Sequence, residues 1–455
     1  MSRGVRRVMN HWLAQAGLIL GFIGLQLLGV AAIKLSLAGL ALWALRGPRH
    51  ALQSLSLVWI LPLLHPALLR GEGFINLQRD QAILLLKWSV LLAAAGSCLA
   101  PVVLRRRPVP ATAAWATLFV VTAGIASAVT SVAPDVSLTK LAAFWLGATT
   151  VLVGFHASAA QARQHHEWFT ALAAALVLAN AALLQTPWAY RAYDHLFCGL
   201  FAHPQFTALV MATVLAWLGG RCLVEERLPV ALVALVACAF VVLWRTGSRT
   251  ALFALGLGLV TALLLRWLLA RPPLRATAAA VLRSRNVAAV VLAAMAVVFA
   301  GGSLTGSLAQ FVQKRSAYHD QQAELWTSRE HMIRAQWRNF LAQPAFGNGF
   351  GIASNASTSR LVRDPTTSIA LSAPTEKGFL PTAVLEETGV VGATLLGLML
   401  FSLAVGIARA ARFPRLWMAA TAGFVNLGES VFFSFGGVGM FLWLMIAFAT
   451  LPEPD

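Results

Sequence analysis

Charge is what this sequence has least of: only 11% of its 455 residues are Asp, Glu, Lys or Arg, against 58% hydrophobic. A soluble domain carries roughly 25% charged and 45–50% apolar residues, so a water-soluble enzyme is excluded. The apolar runs are continuous and do not alternate, which also excludes a transmembrane β-barrel. A polytopic helical membrane protein remains, in keeping with a mean hydropathy of +0.73. Cysteine is scarce as well. Cys98, Cys198, Cys222 and Cys238 show no metal-type spacing, and Cys98 and Cys238 lie inside apolar runs, where a thiol behaves as a small apolar side chain. Neither disulfides nor a metal site is expected. Also missing are a GxxxxGK[ST] loop, a GxGxxG turn opening a helix after a strand, internal repeats and low-complexity tracts.

Acidic residues are outnumbered, 17 to 35, giving a net charge of +18. In a soluble protein that excess would indicate nucleic acid. In a polytopic chain it is an orientation signal, because cytoplasmic loops accumulate Arg and Lys, and no nucleic-acid partner is expected. Apolar runs fall at 12–29, 35–45, 52–69, 82–104, 110–132, 137–157, 168–184, 204–218, 228–243, 250–269, 286–304, 381–408, 416–431 and 437–451. At about 20 residues per crossing the first and last pairs are short, so about twelve spans are expected, with fourteen the upper count. The reading is an all-α, polytopic membrane domain over 1–455, with 305–380 inserted as one large, partly helical loop.

The basic start, MSRGVRRVMNHW, reads as the cytoplasmic flank of an uncleaved first span. Arg3, Arg6 and Arg7, Arg46 and Arg49, Arg105 to Arg107, Arg221 and Arg227, the Arg266 to Arg285 group, and Arg409, Arg412 and Arg415 then fall on alternate loops. Those loops and both termini are expected in the cytoplasm; 184–203, 244–249 and 305–380 face outward. Outward loops should be poor in Arg, yet Arg191, Arg245, Arg249, Arg329, Arg334 and Arg338 lie there. Guanidinium forks match phosphate oxygens bidentately, so arginines placed against the bias indicate an anion. The plain alternative is that they reach outer-leaflet head groups.

Short patterns sharpen this. Gly199-x-Phe201-x-His203-Pro204-Gln205 opens a span, with Pro204 suited to a first helical turn. Gly247-Ser248-Arg249-Thr250-Ala251 starts another, with Ser248 able to cap it and the helix dipole adding to Arg249. Ser328-Arg329 begins a helix-like run ending in Pro344-Ala345-Phe346-Gly347-Asn348-Gly349-Phe350-Gly351, where the glycines require a tight turn. Leu385-Glu386-Glu387-Thr388-Gly389-Val390-Val391-Gly392 re-enters the membrane.

In their order and placement, over roughly 191–392, these motifs resemble the O-antigen ligase and polymerase superfamily of bacterial inner membranes. The resemblance implies transfer of a glycan from an undecaprenyl-diphosphate carrier to a sugar hydroxyl of lipid A–core, without metal, nucleotide or other cofactor. The site would face the periplasm, and membrane lipids would be the remaining partners. It also implies that Arg191, Arg249 and Arg329 grip the pyrophosphate, with Arg245, His203 and Gln205 beside them. One departure stands out. Where ligases place histidine before the re-entry glycine, this chain has Gly378-Phe379, or Glu376-Lys377 after a two-residue shift. A base must take the acceptor proton, and Glu376 is the first candidate, then His331; Asp194, His195, His319 and Asp364 follow. A single displacement would invert the anomeric centre.

Lone charges within spans are costly. Lys140 and the Glu386–Glu387 pair are expected near span ends, reaching water. Lys87 and Glu429 lie deeper, lining a head-group cavity or forming an ion pair. The competing readings are an O-antigen polymerase or protein O-oligosaccharyltransferase of the same superfamily, and, outside it, a lipid flippase or transporter. Against the last stands the lack of repeats and of Gly/Pro-broken helix pairs in matching positions.

Overall fold

The computed structural model describes residues 3–69, 80–104, 108–192, 194–225, 229–270, 327–352, 362–363, 370–372 and 377–452. Its helices are α1 (Arg3–Leu25), α2 (Val30–Ala44), α3 (Pro48–Val58), α4 (Gln81–Leu104), α5 (Ala111–Thr130), α6 (Pro134–Ala157) and α7 (Ala162–Ala182). They continue with α8 (Pro204–Val224), α9 (Val230–Arg245), α10 (Arg249–Ala270), α11 (Thr327–Ala342), α12 (Leu380–Ala410), α13 (Phe413–Phe424) and α14 (Val438–Phe448). The one sheet among the described residues is a two-stranded antiparallel ladder, Val362–Arg363 against Ala370–Ser372.

The all-helical expectation holds. Among the described residues, six helices are long and apolar enough to cross a membrane: α4, α5, α6, α8, α10 and α12. Four shorter apolar segments, Trp12–Leu28, α2, α9 and α14, accompany them. The expected run 286–304 lies outside the described residues. Proline marks several starts, with Pro48, Pro134 and Pro204 each the first residue of its helix; the missing N–H has no intrahelical partner there anyway.

Burial separates centre from periphery. Inside the protein lies 83% of the most apolar window of α8, against 22% for α10 and 28% for α12. Among the described helices α8 is therefore the central one, and α10 and α12 leave most of their apolar surface exposed. Because lipid tails are as apolar as leucine, such helices associate through close packing of small residues. Gly220 of α8 meets α13 so closely that an added Cβ would lie 2.7 Å from Pro414 Cα, and at Gly258 of α10 it would lie 2.8 Å from the Thr421 nitrogen. Cys98 of α4 is buried against Gly154 of α6, as its apolar setting implied.

Arg415, one of the presumed orientation charges, is buried instead. Its Nη1 donates to the carbonyls of Leu451 (2.8 Å) and Phe448 (3.4 Å), satisfying the C-terminal end of α14. A cation is favoured there by the helix dipole. At the opposite end of the bundle the connecting segments knit into one surface. His65 N–H bonds to Leu200 O (2.9 Å), Ala202 N–H to Leu63 O (2.8 Å) and Phe197 N–H to Arg245 O (3.1 Å). Phe433 packs between Phe119, Phe144 and Phe350, tying the 425–437 segment to α5, α6 and the glycine-rich turn.

Candidate functional site

That knitted surface carries most of the polar residues singled out above. Between α7 and α8 the chain makes a tight turn, with Tyr190 bridging Phe197 and Arg191 N–H donating to Leu196 O (2.9 Å). Gly199 is required by position: its φ is +62°, and a Cβ would stand 2.2 Å from Asn180 Oδ1. The same oxygen accepts Leu200 N–H (3.0 Å), so the turn is pinned to α7.

Arg191 projects from this turn. Its Nε donates to Asp194 Oδ1 (2.9 Å), its Nη2 binds the other carboxylate oxygen, and its Nη1 lies 3.1 Å from His203 Nε2. His203 is the N-cap of α8, its Nδ1 accepting Gln205 N–H (3.3 Å). A neutral imidazole has one accepting nitrogen, yet donors approach both. In either tautomer two N–H groups are turned toward each other. The Gln205 side chain continues the chain of contacts, donating to Glu429 Oε1 (2.7 Å) on the 425–437 segment. Asp194, Arg191, His203, Gln205 and Glu429 thus form one polar row across the N-terminal end of the central helix.

A second assembly joins the glycine-rich turn to α12. Helix α12 is interrupted at Gly389, whose φ is +62°. The turn inserts at that break: Asn348 and Gly349 N–H donate to the carbonyls of Glu386 (2.8 Å) and Glu387 (3.1 Å), while Val390 and Val391 N–H donate to Pro344 (2.8 Å) and Ala345 (3.2 Å). A Cβ at Gly389 would lie 2.3 Å from Ala345 O, and one at Gly347 2.5 Å from Thr388 N. The two glycine motifs are halves of one interlocked junction.

Side chains complete it. Lys377 Nζ reaches Glu386 (2.5 Å) and Glu387 (3.4 Å); Asn339 donates to Glu386 (2.6 Å), Gly351 N–H to Glu387 (2.8 Å), and Lys140 to Gly351 O. Lys377, Glu386 and Glu387 are all buried, which corrects the expectation that the glutamate pair reaches water. The break at Gly389 tucks the start of α12 beneath the turn, and two lysines balance two carboxylates there. Removing one partner of such a buried pair typically costs about 3–5 kcal/mol.

The remaining candidates divide. Arg249 opens α10 and Ser248 Oγ accepts Ala251 N–H (3.4 Å), the expected cap. Arg245 ends α9 with an exposed side chain, its carbonyl holding Phe197. His331 is exposed on α11, and Arg329 lies in that helix with its side chain outside the described residues, as are Glu376, His319 and Asp364. His195 is exposed with φ +55°. Lys87 and Glu429 face different partners: Lys87 Nζ lies 3.5 Å from Gly436 O, and Glu429 bonds Gln205. Lys377, Gln336 and Asn339 were missed because nothing in their spacing reveals that a loop and a helix break meet. Compared with models of protein families and with characterised proteins, the chain matches none.

Proposed function

We propose that this protein is a lipid-linked glycan transferase of the O-antigen ligase type, with about twelve membrane helices, both termini in the cytoplasm and the knitted surface in the periplasm of a bacterial inner membrane. The observation that carries the reading is the Arg191–His203 contact at the N-terminal end of α8. A guanidinium held beside the histidine N-cap adds positive charge to a helix start, and helix N-termini favour anions. A diphosphate fits that chemistry. Asp194 orients the guanidinium through its Nε and Nη2 edge, and Arg249, which opens α10, adds charge in this reading; Arg329 is a third phosphate-binding candidate on sequence grounds alone.

In the reaction, Arg191 neutralises the leaving diphosphate as the anomeric C–O bond breaks, an electrostatic role needing no proton. The acceptor hydroxyl attacks the same carbon from the opposite face, inverting it, and its proton passes to a carboxylate. Glu376 is the proposed base on sequence grounds; it directly precedes Lys377, which the junction holds in place. His331, exposed on α11, is the second candidate. Gene deletion separates the readings. Loss of a ligase leaves long glycans on the undecaprenyl carrier and bare core at the surface; loss of a polymerase leaves single repeats on core. An unchanged glycan profile overturns the proposal, as does a requirement for ATP in the reconstituted reaction.

A further inference from the structure

Helix α11 has one face occupied and one unexplained. Gln336 donates to Lys377 O (2.7 Å) and is bonded by the Thr382 hydroxyl, so that side is docked on the start of α12. On the other side Trp337 and Leu341, one turn apart, are 46% and 60% exposed. Phe346, just beyond the helix, is 49% exposed and sits where the interlocked turn meets Val390, itself 51% exposed. Val390 belongs to α12, which is long and apolar enough to cross a membrane and has only 28% of its most apolar window buried. The exposed apolar C-terminal end of α11 is therefore continuous with the exposed apolar surface of α12, while the N-terminal part of the same side carries the Glu330–Arg334 ion pair. Arg338 lies exposed along the adjoining edge of α11.

We propose that α11 lies on the membrane surface, with Trp337, Leu341 and Phe346 entering the leaflet on the site side and Arg338 meeting the phosphates of anionic lipids. An exposed tryptophan, an apolar flank and an adjoining cation are the groups by which a helix end seats at a lipid interface. The inference rests on the membrane reading of the chain and not on its enzymatic assignment. It gives the junction a second consequence: Gln336 and Lys377 set the height of the site relative to the lipid surface.

The test uses full-length protein in nanodiscs, with Cys238 replaced by Ser and a nitroxide at Leu341→Cys or, as the comparison, His331→Cys. The expected result is collision with oxygen dominating at position 341 and collision with a water-soluble nickel chelate dominating at 331. Raising the phosphatidylglycerol fraction over phosphatidylcholine should shift 341 further toward oxygen, and Arg338→Glu should abolish that shift. Chelate access at 341 equal to that at 331 overturns the proposal. So does exclusion of both reagents, which marks a protein contact, and so does indifference to phosphatidylglycerol.

Discussion

His203 links two jobs through its two ring nitrogens, and substitutions separate them. His203→Asn keeps an N-cap side chain for α8 while withdrawing the group opposite Arg191. The expected outcome is near-unchanged thermal stability in detergent with loss of glycan transfer; His203→Ala should lose about 1 kcal/mol as well. Arg191→Lys replaces a fork with a point charge and cannot hold Asp194 along one edge while turning Nη1 to the histidine. Transfer by that variant should fall at least about tenfold, the rate equivalent of one well-placed interaction of about 1.4 kcal/mol. His65 contributes to the pH dependence. Partial burial beside Trp188 holds its imidazole below the ordinary value of 6.5. The unfolded chain therefore binds a proton that the folded one resists, so this contribution is intact above that value and falls as pH drops through it. Melting temperatures between pH 7.5 and 5 should decline, and His65→Gln should lessen the decline.

Among the elements, the junction of α12 with the glycine-rich turn is the most specific structure in the chain. Gly389→Ala demands both a positive φ and space occupied by Ala345 O. It should cost about 1–3 kcal/mol from the backbone alone, read as a lowered melting temperature. Lys377→Met strands two carboxylates and should cost about 3–5 kcal/mol. Adding Glu386→Gln to Lys377→Met should restore part of that loss, whereas two independent sites would lose additively. The glycines of this junction were legible in the sequence as points where the backbone must turn, and Pro204 and Ser248 as helix starts. That the two glycine motifs bind each other was not legible. Their contact runs through main-chain N–H and C=O groups, which every residue carries, so no side-chain pattern records it. The same holds for Arg415, whose partners are carbonyl oxygens.

At the scale of the whole molecule, hydropathy located six long apolar helices among the described residues, because backbone in lipid must satisfy its own hydrogen bonds, but expected runs such as 52–69 form a short helix and 3-10 turns instead. It did not rank the helices. Which helix is central follows from where glycines allow close approach, and Gly219–Gly220 mark α8 only once Pro414 and Trp417 are seen against them. Gly220→Leu should push α13 away and reduce thermal stability more than the same change at Gly397 of α12, where an added Cβ meets nothing within 4 Å. The junction also bears on how the segment between its two halves can vary. Residues up to Ile352 and from Lys377 onward are both anchored at Glu386 and Glu387, through Gly351 and the Lys377 ammonium. The chain between them leaves and returns at one socket. Doubling its length adds only about 0.6 kcal/mol of closure entropy. Under the proposed function, exchanging that insert should change acceptor preference while leaving the melting temperature of the helical bundle unchanged.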